Sequence, residues 1–120
     1  MKHIFDNVSK KCSKITTQSY STSFSFGIKA LDKKLHDPIY GIYGFVRLAD
    51  EIVDTFHDYD KLELFYKFKE DTIEAINKKI SLNPILNHFQ EVVNYYKIDW
   101  NLINTFLNSM EMDLKDQVYD

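Results

Sequence analysis

Apolar side chains recur every three or four residues in separate blocks along the chain, the spacing of helices that each bury one face. The first block, about residues 3–19, carries Ile4, Val8, Cys12 and Ile15 at weak helical spacing. It runs into seven hydroxyl side chains between residues 16 and 25: Thr16, Thr17, Ser19, Ser21, Thr22, Ser23 and Ser25. Short hydroxyls compete for backbone hydrogen bonds, so a helix is expected to end or restart there. A second helix is expected from about 38 to 56, with Asp37 as its cap and Pro38 in its first turn. Asp32 is a rival start, but it would place Pro38 inside the helix, where proline is costly. Leu62, Phe65, Phe68, Ile73, Ile76 and Ile80 predict a third helix over about 60–80. Asn83-Pro84 breaks it and caps a fourth, about 84–97, with Ile85, Leu86, Phe89, Val92, Val93 and Tyr96 inward. Asp99 can cap a fifth from about 100 onward, carrying Ile103, Phe106, Leu107, Met110 and Leu114. That last pattern is still running at Asp120, which suggests a truncated domain.

Composition narrows the class. The 120 residues suit one small domain, and no repeat, linker or low-complexity block divides residues 1–120. An apolar content of 44%, including many aromatics, can build a core and argues against disorder. Only three Gly and two Pro disfavour turn-rich sandwiches and barrels, so the expected fold is all-α. Fifteen basic against eighteen acidic residues leave no basic excess to attract nucleic acid. The single Cys12 excludes an internal disulfide and a cysteine-built zinc cluster. A charge precedes any apolar run at the N-terminus, and no stretch approaches the ~20 apolar residues of a membrane span. The expected location is the cytoplasm.

Candidate chemistry concentrates in Tyr43-Gly44-Phe45-Val46-Arg47-Leu48-Ala49-Asp50-Glu51-Ile52-Val53-Asp54. At about 100° per residue, Tyr43, Arg47, Asp50 and Asp54 fall within roughly 60° of one another around a helix. Ile42, Phe45, Val46, Ala49, Ile52 and Val53 fill a separate apolar arc. Asp50 and Asp54 point the same way one turn apart, where like charges cost a few tenths of a kcal/mol. A divalent cation would remove that repulsion. Mg²⁺ suits hard carboxylate oxygens and commonly bridges one or two of them to substrate phosphates. Arg47 offers a fork of donors that matches a phosphate. A solvated helix face with an Arg47–Asp50 or Arg47–Asp54 ion pair satisfies the same spacing. Ser21 and Ser23 can donate to phosphate oxygens near a helix start, or simply cap it. Asp113 can face a cavity or lie on the surface. The histidines His3, His36, His57 and His88 show no ligand spacing, and nothing near Cys12 would activate it as a nucleophile.

Taken together, Ser21-Thr22-Ser23-Phe24-Ser25-Phe26, Tyr43 to Asp54, Asn83-Pro84-Ile85-Leu86 and Met110-Glu111-Met112-Asp113-Leu114 resemble, in order and spacing, the N-terminal part of squalene/phytoene synthase family enzymes. The bacterial phytoene synthases look nearest, and the resemblance covers nearly the whole chain. It implies the N-terminal part of an isoprenoid-synthase-type helical bundle and head-to-head condensation of two prenyl diphosphates through a cyclopropyl intermediate. It also implies that Asp50 and Asp54 hold Mg²⁺ bridging to diphosphate. Arg47, Tyr43, Ser21 and Ser23 would contact that diphosphate, and Asp113 matches an acid before the family's second motif. Family members are a little over twice as long, and their second aspartate-rich motif does not occur in these residues. The 120-residue chain alone is therefore expected to be inactive and to self-associate through exposed apolar surface. Peripheral membrane contact stays open, because the implied product is lipid-soluble while no amphipathic anchor is evident. Two other readings compete. One is a head-to-tail isoprenyl diphosphate synthase, although its first motif has adjacent aspartates where this chain has Asp50-Glu51. The other is a non-catalytic helical module that binds a partner through apolar faces.

Overall fold

A computed structural model of the chain describes residues 1–119, the side chain of Tyr119 excepted, so Asp120 lies outside the described residues. The described residues form six α-helices: α1 (Lys2–Tyr20), α2 (Thr22–Lys29), α3 (His36–Asp54), α4 (Lys61–Lys78), α5 (Pro84–Tyr96) and α6 (Trp100–Tyr119). A 3-10 turn, Lys33–Leu35, leads into α3, and no strand occurs among the described residues. The all-α expectation is met.

Short polar side chains set most of the boundaries. Ser21 ends α1 and begins α2; its extended backbone breaks the helix, and its hydroxyl accepts from the Phe24 amide. Asp60 caps α4 through the Glu63 amide. Asn83 accepts from the Ile85 and Leu86 amides ahead of Pro84. Asp99 accepts from the Asn101 amide at the start of α6.

The start of α3 differs from the expected one. Asp37 is not its cap: α3 begins at His36, and Asp32 caps the preceding 3-10 turn through the Lys34 amide. The helical path thus begins at the rival start. Pro38 is nevertheless tolerated, because it falls in the first turn of α3, where the N–H it lacks would have no helical acceptor. The helix also stops at Asp54 rather than near residue 56, so Asp54 is its last residue.

Phe45 organises the core. Its ring stacks on Phe89 of α5 with centroids 3.8 Å apart, stacks on Phe68 of α4 at 5.3 Å and tilts against Phe106 of α6 at 5.6 Å. One residue of α3 therefore meets three other helices. Around it pack Ala49, Ile52, Val53, Phe65, Leu86, Val93, Ile103, Leu107 and Leu114. Some expected core positions lie outside this cluster. Ile73, Ile80, Tyr96 and Ile42 are exposed, while Thr72 and Ala75 are buried in α4. Small residues let α4 approach α5 closely, and the Thr72 hydroxyl is satisfied by the Phe68 carbonyl one turn back.

Helix α1 reverses the usual pattern. Its buried face is Ser9, Ser13 and Thr17, and Ile4, Val8 and Ile15 are exposed. Ser9 and Thr17 donate to the Phe5 and Ser13 carbonyls, while the Ser13 hydroxyl is buried without a partner. Asn87 of α5 adds bonds to Ser9 and Asp6. The small side chains let α1 lie against α3, where a Cβ on Gly44 would stand 3.3 Å from the Ser13 hydroxyl. Gly41 likewise admits α5, since a Cβ there would meet Val92 and the His88 ring at 3.0–3.2 Å.

Two predictions follow from this packing. Phe45→Ala is expected to lower unfolding stability by about 3–5 kcal/mol, read by urea titration. His88 is fully buried and its Nδ1 has no partner. Burial pushes it down to about 4 from the usual 6.5; the Lys10 charge adds to this and the Asp37 carboxylate opposes it. The unfolded chain then binds the extra proton, so this contribution is complete above about pH 6.5 and is lost as pH falls toward 4, by about 3 kcal/mol. Urea titrations at pH 7 and 4.5 should show that loss, and the His88→Leu variant should show a correspondingly smaller one.

Candidate active site

The exposed side of α3 carries the polar stripe. Burial of Phe45, Ala49, Ile52 and Val53 on one side leaves Tyr43, Arg47, Asp50 and Asp54 on the other. Tyr43, Arg47 and Asp50 are half-buried, and Asp54 is exposed at the end of the helix. Lys61 holds that end in place. Its buried ammonium donates to the Val53 carbonyl and to the Gln117 side chain at 3.0 Å, with the His57 ring nitrogen also at 3.0 Å. A cation against the last carbonyls of a helix is favourable, and this one joins α3, α4 and α6 immediately beside Asp54.

Arg47 does not pair with Asp50 or Asp54. Its Nη2 donates to Glu51 Oε1 at 2.7 Å. The i,i+4 spacing and the extra methylene of glutamate let Glu51 meet the guanidinium, whereas Asp54 lies two turns away. Tyr20, the last residue of α1, covers the guanidinium face with its ring centroid 4.9 Å from Cζ. Burial and the neighbouring Glu51 carboxylate raise the Tyr20 hydroxyl above its ordinary range, with Arg47 opposing. Arg47 Nε is buried and has no acceptor. Phe24 of α2 stacks on Tyr43 at 4.9 Å, which fixes the hydroxyl-rich segment against α3.

The expected site residues therefore fall into two groups. Tyr43, Arg47, Asp50 and Asp54 share one face of α3, and Ser21 adjoins it through its neighbour Tyr20 and through Phe24 on Tyr43. The Ser21 hydroxyl is engaged as a cap acceptor, while Ser23 is exposed. Asp113 lies exposed on α6, and no hydrogen bond or ion pair among the described residues joins it to the α3 stripe. Tyr20, Phe24, Glu51 and Lys61 were not singled out from sequence. Only Glu51 left a local signal, its i,i+4 spacing from Arg47.

Burial raises the Asp50 carboxyl above the usual carboxylate range; Asp54 and Glu51 push the same way, and Arg47 opposes them. Two carboxylates that repel across one turn, one of them partly withdrawn from water, fit a divalent cation whose charge offsets that repulsion. No group of three or more His, Cys, Asp or Glu that could hold a metal occurs among the described residues. The pair would thus supply two oxygens, leaving positions for water and a ligand's own oxygens. Asp54→Asn is expected to bring Asp50 part of the way back toward its ordinary range, read by carboxyl carbon NMR titration. An unchanged Asp50 titration would contradict the coupling.

A model of the squalene/phytoene synthase family matches residues 17–120, which takes in every expected site residue. No curated protein and no solved structure gives a significant match to the chain.

Proposed function

This chain belongs to the squalene/phytoene synthase family, and from that premise we propose that the α3 stripe is one half of the Mg²⁺–diphosphate site of a head-to-head prenyltransferase. The observation that carries the reading is the Asp50–Asp54 pair on one face with Arg47, in a chain of this family. The substrates are two prenyl diphosphates, joined through a cyclopropyl intermediate. Mg²⁺, held by Asp50 and Asp54, would neutralise diphosphate charge and so favour its departure.

The remaining roles belong to the chain's own side chains. Heterolysis of the substrate C–O bond leaves the electron pair on the departing diphosphate. Arg47, Tyr43, Ser21 and Ser23 donate to its oxygens and stabilise that charge. Asp113, exposed on α6, would act on the head group only through a cation, because its carboxylate repels the diphosphate. The apolar prenyl chain needs a greasy wall next to the charged head. Ile42, 38% exposed, and half-buried Val46 provide one, lying about 40–80° around α3 from Asp50. Apolar surface beside an acidic stripe suits a ligand with one charged end and a long hydrocarbon tail.

The proposal is tested by Mg²⁺-dependent binding of a C15 prenyl thiolodiphosphate, followed by calorimetry. Asp50→Asn/Asp54→Asn is expected to weaken binding more than about tenfold, the loss of two charge-assisted contacts. Unchanged binding in that variant would overturn the proposal and favour the non-catalytic helical module. Catalysis requires more than this pair, because the family pattern uses two aspartate-rich motifs and these residues contain one. The 120-residue polypeptide on its own is therefore expected to release no more pyrophosphate from C15 or C20 prenyl diphosphates than its Asp50→Ala variant.

A further inference from the structure

Arg47 is held in an arrangement that satisfies only part of its guanidinium. Nη2 meets Glu51 at 2.7 Å, Tyr20 lies over the face, and buried Nε–H has no acceptor. A buried donor without a partner is unusual enough to need a cause. A phosphate group supplies one, because two of its oxygens match the Nε–H and Nη–H donors along one edge of a guanidinium.

Glu51 also pulls Arg47 in a particular direction. Around α3, Glu51 lies about 40° to one side of Arg47, while Asp54 and Asp50 lie about 20° and 60° to the other. An arginine paired with Glu51 has Nη2 engaged on the side of the helix away from those two carboxylates, although its charge still acts on Asp50. The pair is not a loose surface contact, since its side chains are only 23% and 13% exposed. Solvent and salt screen it less than an open pair, and the Tyr20 ring shields it further.

We propose that Glu51, with Tyr20 as cover, is a latch that holds Arg47 away from the anion position and that an incoming diphosphate must displace it. Glu51 is then a positioning residue that acts through Arg47 and sets how tightly the head group binds. The inference rests on the diphosphate reading of α3. Neutralising Glu51 removes the competitor: a glutamine can still accept from Nη2, but a neutral acceptor binds a guanidinium more weakly than a carboxylate does.

The test is NMR titration of the ¹⁵N-labelled chain with inorganic pyrophosphate in excess Mg²⁺. Glu51→Gln is expected to bind about threefold to tenfold tighter than wild type, the scale of one partly buried ion pair. In an Arg47→Gln background the same change is expected to alter affinity less than about twofold, because the latch then has nothing to hold. The Arg47 Nε–H resonance should shift on pyrophosphate addition, and in Glu51→Gln it should lie partway along that shift before any ligand is added. Glu51→Asp, whose shorter arm loosens the pair, should also bind more tightly, which covers the case of a glutamine variant that does not fold. Wild-type binding that Glu51→Gln and Glu51→Asp leave unchanged would overturn the latch alone. An equal gain with or without Arg47 would also overturn it, as a bare field effect. Absence of pyrophosphate binding in wild type and both Glu51 variants would overturn the diphosphate reading, and the latch with it.

Discussion

The packing of Phe45 decides which way α3 faces. Its ring is in contact with Phe68, Phe89 and Phe106, on three different helices, so the rotation of α3 about its own axis is fixed by one aromatic cluster. Residues half a turn away must then point outward, and those residues are Tyr43, Arg47, Asp50 and Asp54. The acidic stripe faces outward because the opposite side of the same helix is buried in the core. Lys61 completes the arrangement by fastening the carbonyl end of α3 to α4 and α6, so that Asp54 projects from a helix end that cannot fray freely.

Contact between α1 and α3 depends on the small size of the residues between them. Ser9, Ser13 and Thr17 on one helix and Gly44 on the other leave room for close approach. That approach carries Tyr20 to the Arg47 guanidinium and sets the break at Ser21 beside the stripe. Two kinds of packing therefore build the site: a large aromatic cluster orients the acids, and a small-residue contact brings in the cover for the arginine. This leaves a pair of carboxylates on the same side of α3 as Ile42 and Val46, the surface on which the proposed prenyl diphosphate reading rests.

Helix order and most caps were legible in the chain because they depend on local chemistry. Asn83 and Asp99 each bond amides two or three residues ahead, and Ser21 interrupts the backbone where hydroxyl side chains cluster. The four stripe residues on α3 were legible for the same reason, since helical geometry alone places them together. Non-local packing was not. In α1 the apolar periodicity follows Ile4, Val8 and Ile15, yet the buried face is made of Ser9, Ser13 and Thr17, of which Ser9 and Thr17 donate to carbonyls one turn back. Tyr20 reaches Arg47 across 27 residues, a contact no spacing rule expresses. Asp37 is not the α3 cap because the helical path starts earlier, in a 3-10 turn capped by Asp32 that runs directly into His36. Glu51 stands at i,i+4 from Arg47, within reach of a spacing rule, but lies outside the stripe that Asp50 and Asp54 share.

The proposed function requires Asp50 and Asp54 to hold a divalent cation together with a diphosphate. Paramagnetic broadening by Mn²⁺ substituted for Mg²⁺ tests it directly, by locating the ion on the ¹⁵N-labelled chain with and without inorganic pyrophosphate. The expected result is broadening centred on residues 47–54 that strengthens when pyrophosphate is added and disappears in the Asp50→Asn/Asp54→Asn variant. Broadening centred elsewhere, or broadening at α3 that pyrophosphate leaves unchanged, would contradict it.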